Sequence, residues 1–448
     1  VRRVLPATAL IAALLLASSA APAPADAATP AVVLGATHGA AVTVTTDPVG
    51  LSIEYPLLAR DLGDGPCPPP ALIGTLQALG SPTIRIGGDS QDQTAPAGTA
   101  PFPGVSDLPA TFWTQLACLE AQTGEPIVVG LNVASGMPVW ADEMATAARA
   151  AIPAGRLSFE LGNEPDVYGV VVPWWNGTAL VYSPMPFATY IERAQALETQ
   201  IGPLTDIEGP DLTGARWVAK IPQIAQALSL QTIDTHLYPL NVCTQPARVT
   251  VAALLARGAA AIDGPLSETL ALARSAHLPI VVSEANSVGC SGKPGVSDSP
   301  ASAVWALRLI VNAVHAGISS VRFHSSGSSY DPFVVNGTTV TTRPLYQALQ
   351  AAVDLLPIGA VVRRLVTPHA LAGVRVTAPN GAVTYIVTNY AAGPAEVAIA
   401  ARHGGEVLRV SASGPTVTYE HVHSTAGMAT LTLAPATVVA ITLTPANG

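Results

Sequence analysis

Leu157-Ser158-Phe159-Glu160-Leu161-Gly162-Asn163-Glu164-Pro165 is the stretch whose reading decides the fold. Apolar residues alternate with period two, as in a buried strand, and the run stops at Gly-Asn-Glu-Pro, where Pro165 has no N–H for further pairing. The carboxylate of Glu164 therefore stands at a strand's C-terminal tip. The same address recurs at Pro279-Ile280-Val281-Val282-Ser283-Glu284-Ala285-Asn286-Ser287, which passes into a glycine-rich loop. If both strands belong to one parallel barrel, Glu164 and Glu284 face each other across its mouth, where such barrels place their chemistry.

Working outward from these two runs, short apolar segments alternate with longer stretches of helical periodicity. Strands are expected over 51–54, 83–86, 127–131, 157–161, 206–208, 233–236, 280–282 and 320–324, the eight that a closed barrel needs. Helices are expected between them and over 344–355, several opening with proline in the first turn, where its missing N–H costs nothing. The fold class is thus α/β, a (β/α)8 TIM barrel over 51–355 that exceeds the usual size of about 250 residues through its loops. After Leu356-Pro357 the rhythm changes to short runs separated by turn residues, and an appended antiparallel β-sandwich is expected over 356–448. The β-like segment 28–50, clearest at Ala41-Val42-Thr43-Val44-Thr45, is expected to complete that sandwich from the other end of the chain.

The first residues carry the charged, apolar and small-residue regions of a secretory signal, here 1–27, so export is expected. No later stretch offers about 20 uninterrupted apolar residues, and no stable membrane anchor is expected. A net charge of −9 repels polyanions at long range, against nucleic acid and heavily sulfated glycans as partners. Cys67, Cys118, Cys243 and Cys290 are compatible with two disulfides in an oxidising compartment. Three pairings are open; the barrel reading favours Cys243 with Cys290, each just past a strand's C-terminal end. Without C-x-x-C spacing no zinc is expected, and nothing requires a cofactor.

Two opposed carboxyl groups suit glycoside hydrolysis with retention, in which one protonates the leaving oxygen and the other, roughly 5 Å away, attacks the anomeric carbon. Glu164 needs a pKa raised by burial and by its neighbour's charge, whereas Glu284 must stay ionised among donors, for which Arg85, Tyr238 and Asn286 are candidates. A lone strand-end glutamate is usually just a solvent-facing residue; two at the equivalent ends of the fourth and seventh strands point to shared chemistry. His236 and His324, at the ends of the sixth and eighth strands, either line the pocket or are satisfied structural residues. Trp174-Trp175 either stack on sugar rings or pack a loop. Gly88-Asp89-Ser90 looks like a serine-esterase nucleophile block, but the paired Asp-x-x-His near the C-terminus is missing. Gly289-Cys290-Ser291-Gly292-Lys293 looks like a phosphate loop, but Pro294 stands where Ser or Thr is required.

Asn163-Glu164-Pro165 with a glutamate on the seventh strand resembles the large clan of retaining β/α-barrel glycosidases. More closely, Phe159 to Pro165, Arg85-Ile86-Gly87-Gly88 and the loop Gly292-Lys293-Pro294-Gly295-Val296-Ser297-Asp298 resemble glycoside hydrolase family 79, the β-glucuronidases and heparanases. The resemblance implies a barrel with an appended sandwich, Glu164 as acid/base and Glu284 as nucleophile. It implies that Asp92 and Asn163 bind ring hydroxyls, with Glu54 a further contact, and that Tyr238 sits beside the nucleophile. It also implies that N–H groups around Gly292 and the hydroxyl of Tyr330 hold the carboxylate of a glucuronic-acid-containing glycan or glycoside. Few basic clusters are present, so exo action is expected over heparanase-like endo action. A xylosidase or arabinosidase of the same clan, a carbohydrate-binding barrel without turnover, and an esterase are the alternatives.

Overall fold

The computed structural model describes residues 31–99, 104–202, 206–213 and 216–443, so the expected signal segment 1–27 lies outside the described residues. Its central sheet has eight parallel strands: β1 Val49–Ile53, β2 Thr83–Ile86, β3 Ile127–Leu131, β4 Leu157–Leu161, β5 Ile207–Glu208, β6 Ile233–Leu237, β7 Ile280–Ala285 and β8 Ser320–Ser325. β1 to β5 pair in sequence order, β6 to β8 do likewise, and β8 returns to β1 with Phe323 opposite Leu51. Between β5 and β6 the ladder is short, because β5 has only two residues. The chain beyond it continues the seam through Asp234 N–H to Gly209 O at 3.1 Å and His236 N–H to Leu212 O at 2.8 Å. The result is a nearly closed (β/α)8 barrel.

The strands are apolar on the helix-facing side, where Val49, Leu51, Ile84, Ile86, Ile127 and Val129 are buried under the surrounding helices. Their inward faces are unusually polar for a barrel: Ser52, Arg85, Glu160, Asp234, Arg322 and His324 are all buried. A barrel interior is normally filled with branched apolar side chains. Here it is filled with ion pairs, which requires every charge to find a partner.

The N-terminal boundary differs from expectation. β1 begins at Val49, so the barrel starts inside the segment assigned as 28–50. Pro48 separates it from the preceding strand Thr37–Thr43, and Val49 already faces Val321 of β8. Thr37–Thr43 pairs antiparallel with Val361–Leu365, while Val32–Leu34 pairs parallel with Ala395–Ala400.

The C-terminal region has a seven-stranded sheet and a four-stranded one. The central strands of the larger sheet, Val383–Asn389 and Thr437–Leu443, are buried on both faces, and alternation along them sorts side chains between two cores. Tyr385, Val387, Val439 and Ile441 face the smaller sheet, whereas Ile386, Val438 and Ala440 join the barrel's cluster. Between this sheet and the barrel lies the helix Pro300–Ala316, which is buried nearly all round because nearly all of its positions are apolar or small. Trp305 anchors it, fully buried with its indole N–H on Ala259 O at 2.7 Å. Truncating such a side chain costs about 3–5 kcal/mol.

Candidate active site

The inward-facing polar side chains converge at the C-terminal mouth on Arg85 of β2. Its Nε and Nη2 grip the two oxygens of Glu160 on β4, each at 2.7 Å. Nη2 also reaches Asn163 Oδ1 at 2.8 Å and makes a short contact to Asp211. Nη1 donates to Ser52 Oγ and to Glu284 Oε2, both at 2.9 Å. A guanidinium is planar and permanently charged, so this fully buried fork fixes where the Glu284 carboxylate lies.

Glu284 ends β7. Its second oxygen accepts the Tyr238 hydroxyl at 2.7 Å, and His324 Nδ1 lies 3.4 Å from the first. Burial alone would raise its pKa, but the charges of His324, His236 and Arg85, with the Tyr238 hydrogen bond, overcome that and hold it at about 2. This carboxylate stays ionised across the working range.

Glu164 follows β4 in the left-handed region, at φ 50°, a conformation that costs a non-glycine residue energy and is tolerated where the surroundings impose it. Its N–H donates to Asp211 O at 3.0 Å, and its own carbonyl accepts Val167 N–H at 2.9 Å as Pro165 turns the chain. The side chain therefore points into the mouth, where Oε1 lies 2.8 Å from His236 Nδ1. Burial raises its pKa, the negative charge of Glu284 adds to the rise, and the His236 contact opposes it.

His236 joins the two glutamates. Nδ1 is 2.8 Å from Glu164 Oε1 and 3.9 Å from Glu284 Oε1, while Nε2 lies 3.2 Å from Asp211 Oδ1, out of hydrogen-bond alignment. Against its burial, the charges of Glu284 and Asp211 hold the imidazole pKa well above its ordinary value. Arg85 and His236 in turn hold Asp211 well below the carboxylate range, outweighing its burial. Asp89 opens onto the same mouth, and crowding by the cleft walls together with the charges of Glu164, Glu54 and Glu284 raises its pKa. A cavity of about 470 Å³ opens here beside Glu54, Asp89, Ser90 and Ser326, with Arg60 as the cation on its wall.

Glu164, Glu284, Arg85, Asn163, His236 and Tyr238 come together in one network. Glu54 joins it at the edge, accepting Ser90 N–H at 2.9 Å and lying 3.4 Å from His324 Nε2. Tyr330 stands nearby, its hydroxyl 3.0 Å from Ser326 Oγ and its ring 6.4 Å from that of Tyr238.

Two expected contacts are corrected. Asp92 does not reach the cleft: it is buried, and its carboxylate accepts the N–H groups of Val133, Ala134 and Asn163 and the Tyr168 hydroxyl, which ties three loops together. Asn286 is not a donor to Glu284. A register shift in β7 precedes it, and its amide donates to the carbonyls of His324 and Tyr330.

Gly292 adopts φ +77°, and a Cβ there would lie 2.5 Å from Ser329 Oγ, so the loop packs closely on the turn carrying Tyr330. The following N–H groups are partly spent, Lys293's on Ser297 Oγ and Gly295's on Asp298. Cys243–Cys290 and Cys67–Cys118 are bonded. Trp174 lies under Arg193, whose guanidinium carbon is 5.3 Å from its ring centre, and its indole N–H is held by Ser183 O.

Sequence reasoning assigned no role to Asp211, Glu160, Ser52 or Asp89. Glu160 was signalled by period two, since it faces inward one layer below the mouth. Asp211 had no such signal, because it lies in an irregular segment after a two-residue strand. Glu160, Asp211 and Asp234 also bring carboxylate oxygens within 4.8 Å of one another. Arg85 already pairs with the first two, and Asp234 lies 3.9 Å from Arg322, so this grouping is an ion-pair core.

Fold and mouth together define a (β/α)8 barrel with an appended sandwich and two opposed, differently poised glutamates. The same architecture is found in the 4-O-α-L-rhamnosyl-β-D-glucuronidase of Fusarium oxysporum 12S, with a TM-score of 0.70 over 92% of this chain and 100% of that one, at 19% identity. A family 51 α-L-arabinofuranosidase from Bifidobacterium longum gives 0.68 over 93% and 100%, at 14% identity. In sequence the chain is similar to a β-glucuronidase of Neurospora crassa, 24% identical over 362 residues that cover 69% of this chain and 63% of that protein. The chain thus spans less than two thirds of that curated relative. No family model matches.

Proposed function

We propose that the protein is a retaining glycoside hydrolase and, within that class, an exo-acting β-glucuronidase of the family 79 type. The observation that carries the class is the opposed pair Glu164 and Glu284, pushed apart in pKa on either side of His236. In the first step the Glu284 carboxylate attacks the anomeric carbon while Glu164 donates its proton to the departing glycosidic oxygen, leaving a glycosyl ester on Glu284. In the second, Glu164, now a carboxylate, takes a proton from water as that water displaces Glu284 and releases the sugar. Arg85 and Tyr238 position Glu284 and stabilise its negative charge before the attack and again when water releases it. The facing oxygens of the two glutamates are no further apart than their two distances to His236 Nδ1 taken together. That limit admits the retaining separation of about 5 Å and reaches only the lower edge of the inverting range, about 6.5–9.5 Å.

The uronic-acid reading rests on the resemblance of the Gly292–Asp298 loop and on likeness to two glucuronidases. The hydroxyls of Tyr330 and Ser326 are the groups offered to the sugar carboxylate, with Arg60 as the nearby cation. Two disulfides suit an exported protein. A second reading, a pentosidase, is favoured by the partly spent N–H groups after Gly292 and by the comparable arabinofuranosidase fold.

Purified protein assayed on aryl β-glucuronide, β-glucoside, β-xyloside and α-arabinofuranoside separates these. Preference for the glucuronide, lost in Glu284→Gln, is expected. Activity confined to the neutral sugars would remove the uronic-acid reading and keep the glutamate pair.

A further inference from the structure

A second constellation lies at the seam between barrel and sandwich, sharing no lining residue with the cavity at the acidic mouth. Arg308, on the helix Pro300–Ala316, is only 3% exposed. Its Nη1 donates to Leu255 O at 2.8 Å, but Nε and Nη2 are buried without a hydrogen-bond partner. Its guanidinium carbon lies 4.6 Å from the ring centre of Tyr390, and Arg257 places its own carbon 4.6 Å from the same ring. The two cations are thus no further apart than twice that distance. Arg364, on the strand Val361–Leu365, lines the same space. Among the described residues, none of the three arginines has a carboxylate within salt-bridge distance.

The space is roomy. A cavity of about 480 Å³ is lined by Arg257, Arg274, Arg364, Asn312, His315 and Tyr390 among others. It adjoins one of about 240 Å³ where His38 and His369 join Arg257 and Arg364. No aspartate or glutamate among the described residues lines either. In a chain of net charge −9 this concentration of unpaired cations runs against the overall composition.

Leaving buried donors unsatisfied costs about 1–3 kcal/mol each, so a fold that keeps Arg308 in this position invites an acceptor. We propose that this seam is an anion-binding site, separate from the catalytic mouth, that takes a sugar-sized or smaller ligand through its oxyanion groups. Guanidinium forks match the planar or tetrahedral oxygens of carboxylate, sulfate and phosphate. Burial lowers the Arg308 pKa to about 10, which leaves it charged at neutral pH to meet such an anion. Because the cations come from both the barrel helices and the sandwich, an occupant also ties the two together.

The test is titration calorimetry at low salt on the full chain with inorganic phosphate, sulfate and glucuronate as probes, using wild type, Arg364→Ala and Arg257→Ala. Both substituted side chains are exposed, so the variants are expected to fold and to retain wild-type glycoside hydrolysis. Saturable binding of at least one probe is expected, weakened about tenfold in each variant, the loss of one charge-assisted contact. Glucuronate that also enters the mouth reads as an additional equivalent that neither variant removes. Preference for glucuronate assigns the site to the uronic acids of a glycan, and preference for phosphate or sulfate to an inorganic or ester oxyanion. No saturable binding, or binding that both variants leave unchanged, overturns the proposal. The result is independent of whether the mouth cleaves glucuronides.

Discussion

Arg85 and Arg322 are both buried inside one barrel, one inward-facing layer apart, yet they serve different ends. Ser52 pairs with Arg85 on one side and His324 on the other, whereas Arg322 lies opposite Gly50, two residues lower on β1. A Cβ at residue 50 would come within 2.7 Å of Arg322 Cγ, so the glycine makes room for that side chain. Arg322 bonds Glu208 at 2.6 Å and lies 3.9 Å from Asp234, and this lower group meets the upper one only where Asp234 approaches Glu160 and Asp211. Arg85 instead joins Glu160 and Asp211 below to Glu284 above. The same chemistry is architectural where the partners lie below the mouth and functional where one partner, Glu284, stands at the cleft. Depth in the barrel, rather than residue type, separates the two roles.

Removing the partner that faces the cleft tests this most severely. Glu284→Gln is expected to lower kcat about 10⁴-fold or more while leaving the fold intact, as measured by initial rates and thermal unfolding. Arg85→Met leaves three carboxylates without their common cation. A stability loss of about 5 kcal/mol by denaturant titration is expected, with hydrolysis lost even where the variant remains folded. Arg322→Met is expected to cost about 3 kcal/mol, since only its own layer is left uncompensated, and to leave both limbs of the pH–rate profile in place. A moved limb would show that the lower layer is electrically part of the site.

The smallest effect is the most diagnostic of electrostatics. Hydrolysis needs Glu164 protonated and Glu284 ionised, so the rate falls as pH rises through the raised Glu164 pKa and, in acid, as pH drops toward about 2. His236 lowers both pKa values. His236→Asn should therefore move both limbs to higher pH by about one unit, read from kcat/KM against pH. Limbs that stay put would remove His236 from the coupling.

The two glutamates could be found in the sequence because each ends an apolar run of period two, and Pro165 or the glycine-rich loop stops the run just beyond. The eight strands were legible for the same reason. What could not be read lies where periodicity fails. Asp211 belongs to an irregular segment; Asn286 follows a register shift that reassigns which side chains face the mouth; and Asp92, three residues beyond Asp89, turns into a loop-anchoring position within one short helical turn. In that turn Asp89 is exposed and Asp92 buried, a difference that spacing alone does not encode.

The central claim is that Glu284 attacks the sugar directly, with Glu164 as its acid. Proton NMR of the first sugar released from an aryl β-glucuronide, recorded before mutarotation, tests it most directly. The account predicts the β-anomer, from two displacements at one carbon. Initial release of the α-anomer would show a single displacement by water and contradict a nucleophilic Glu284.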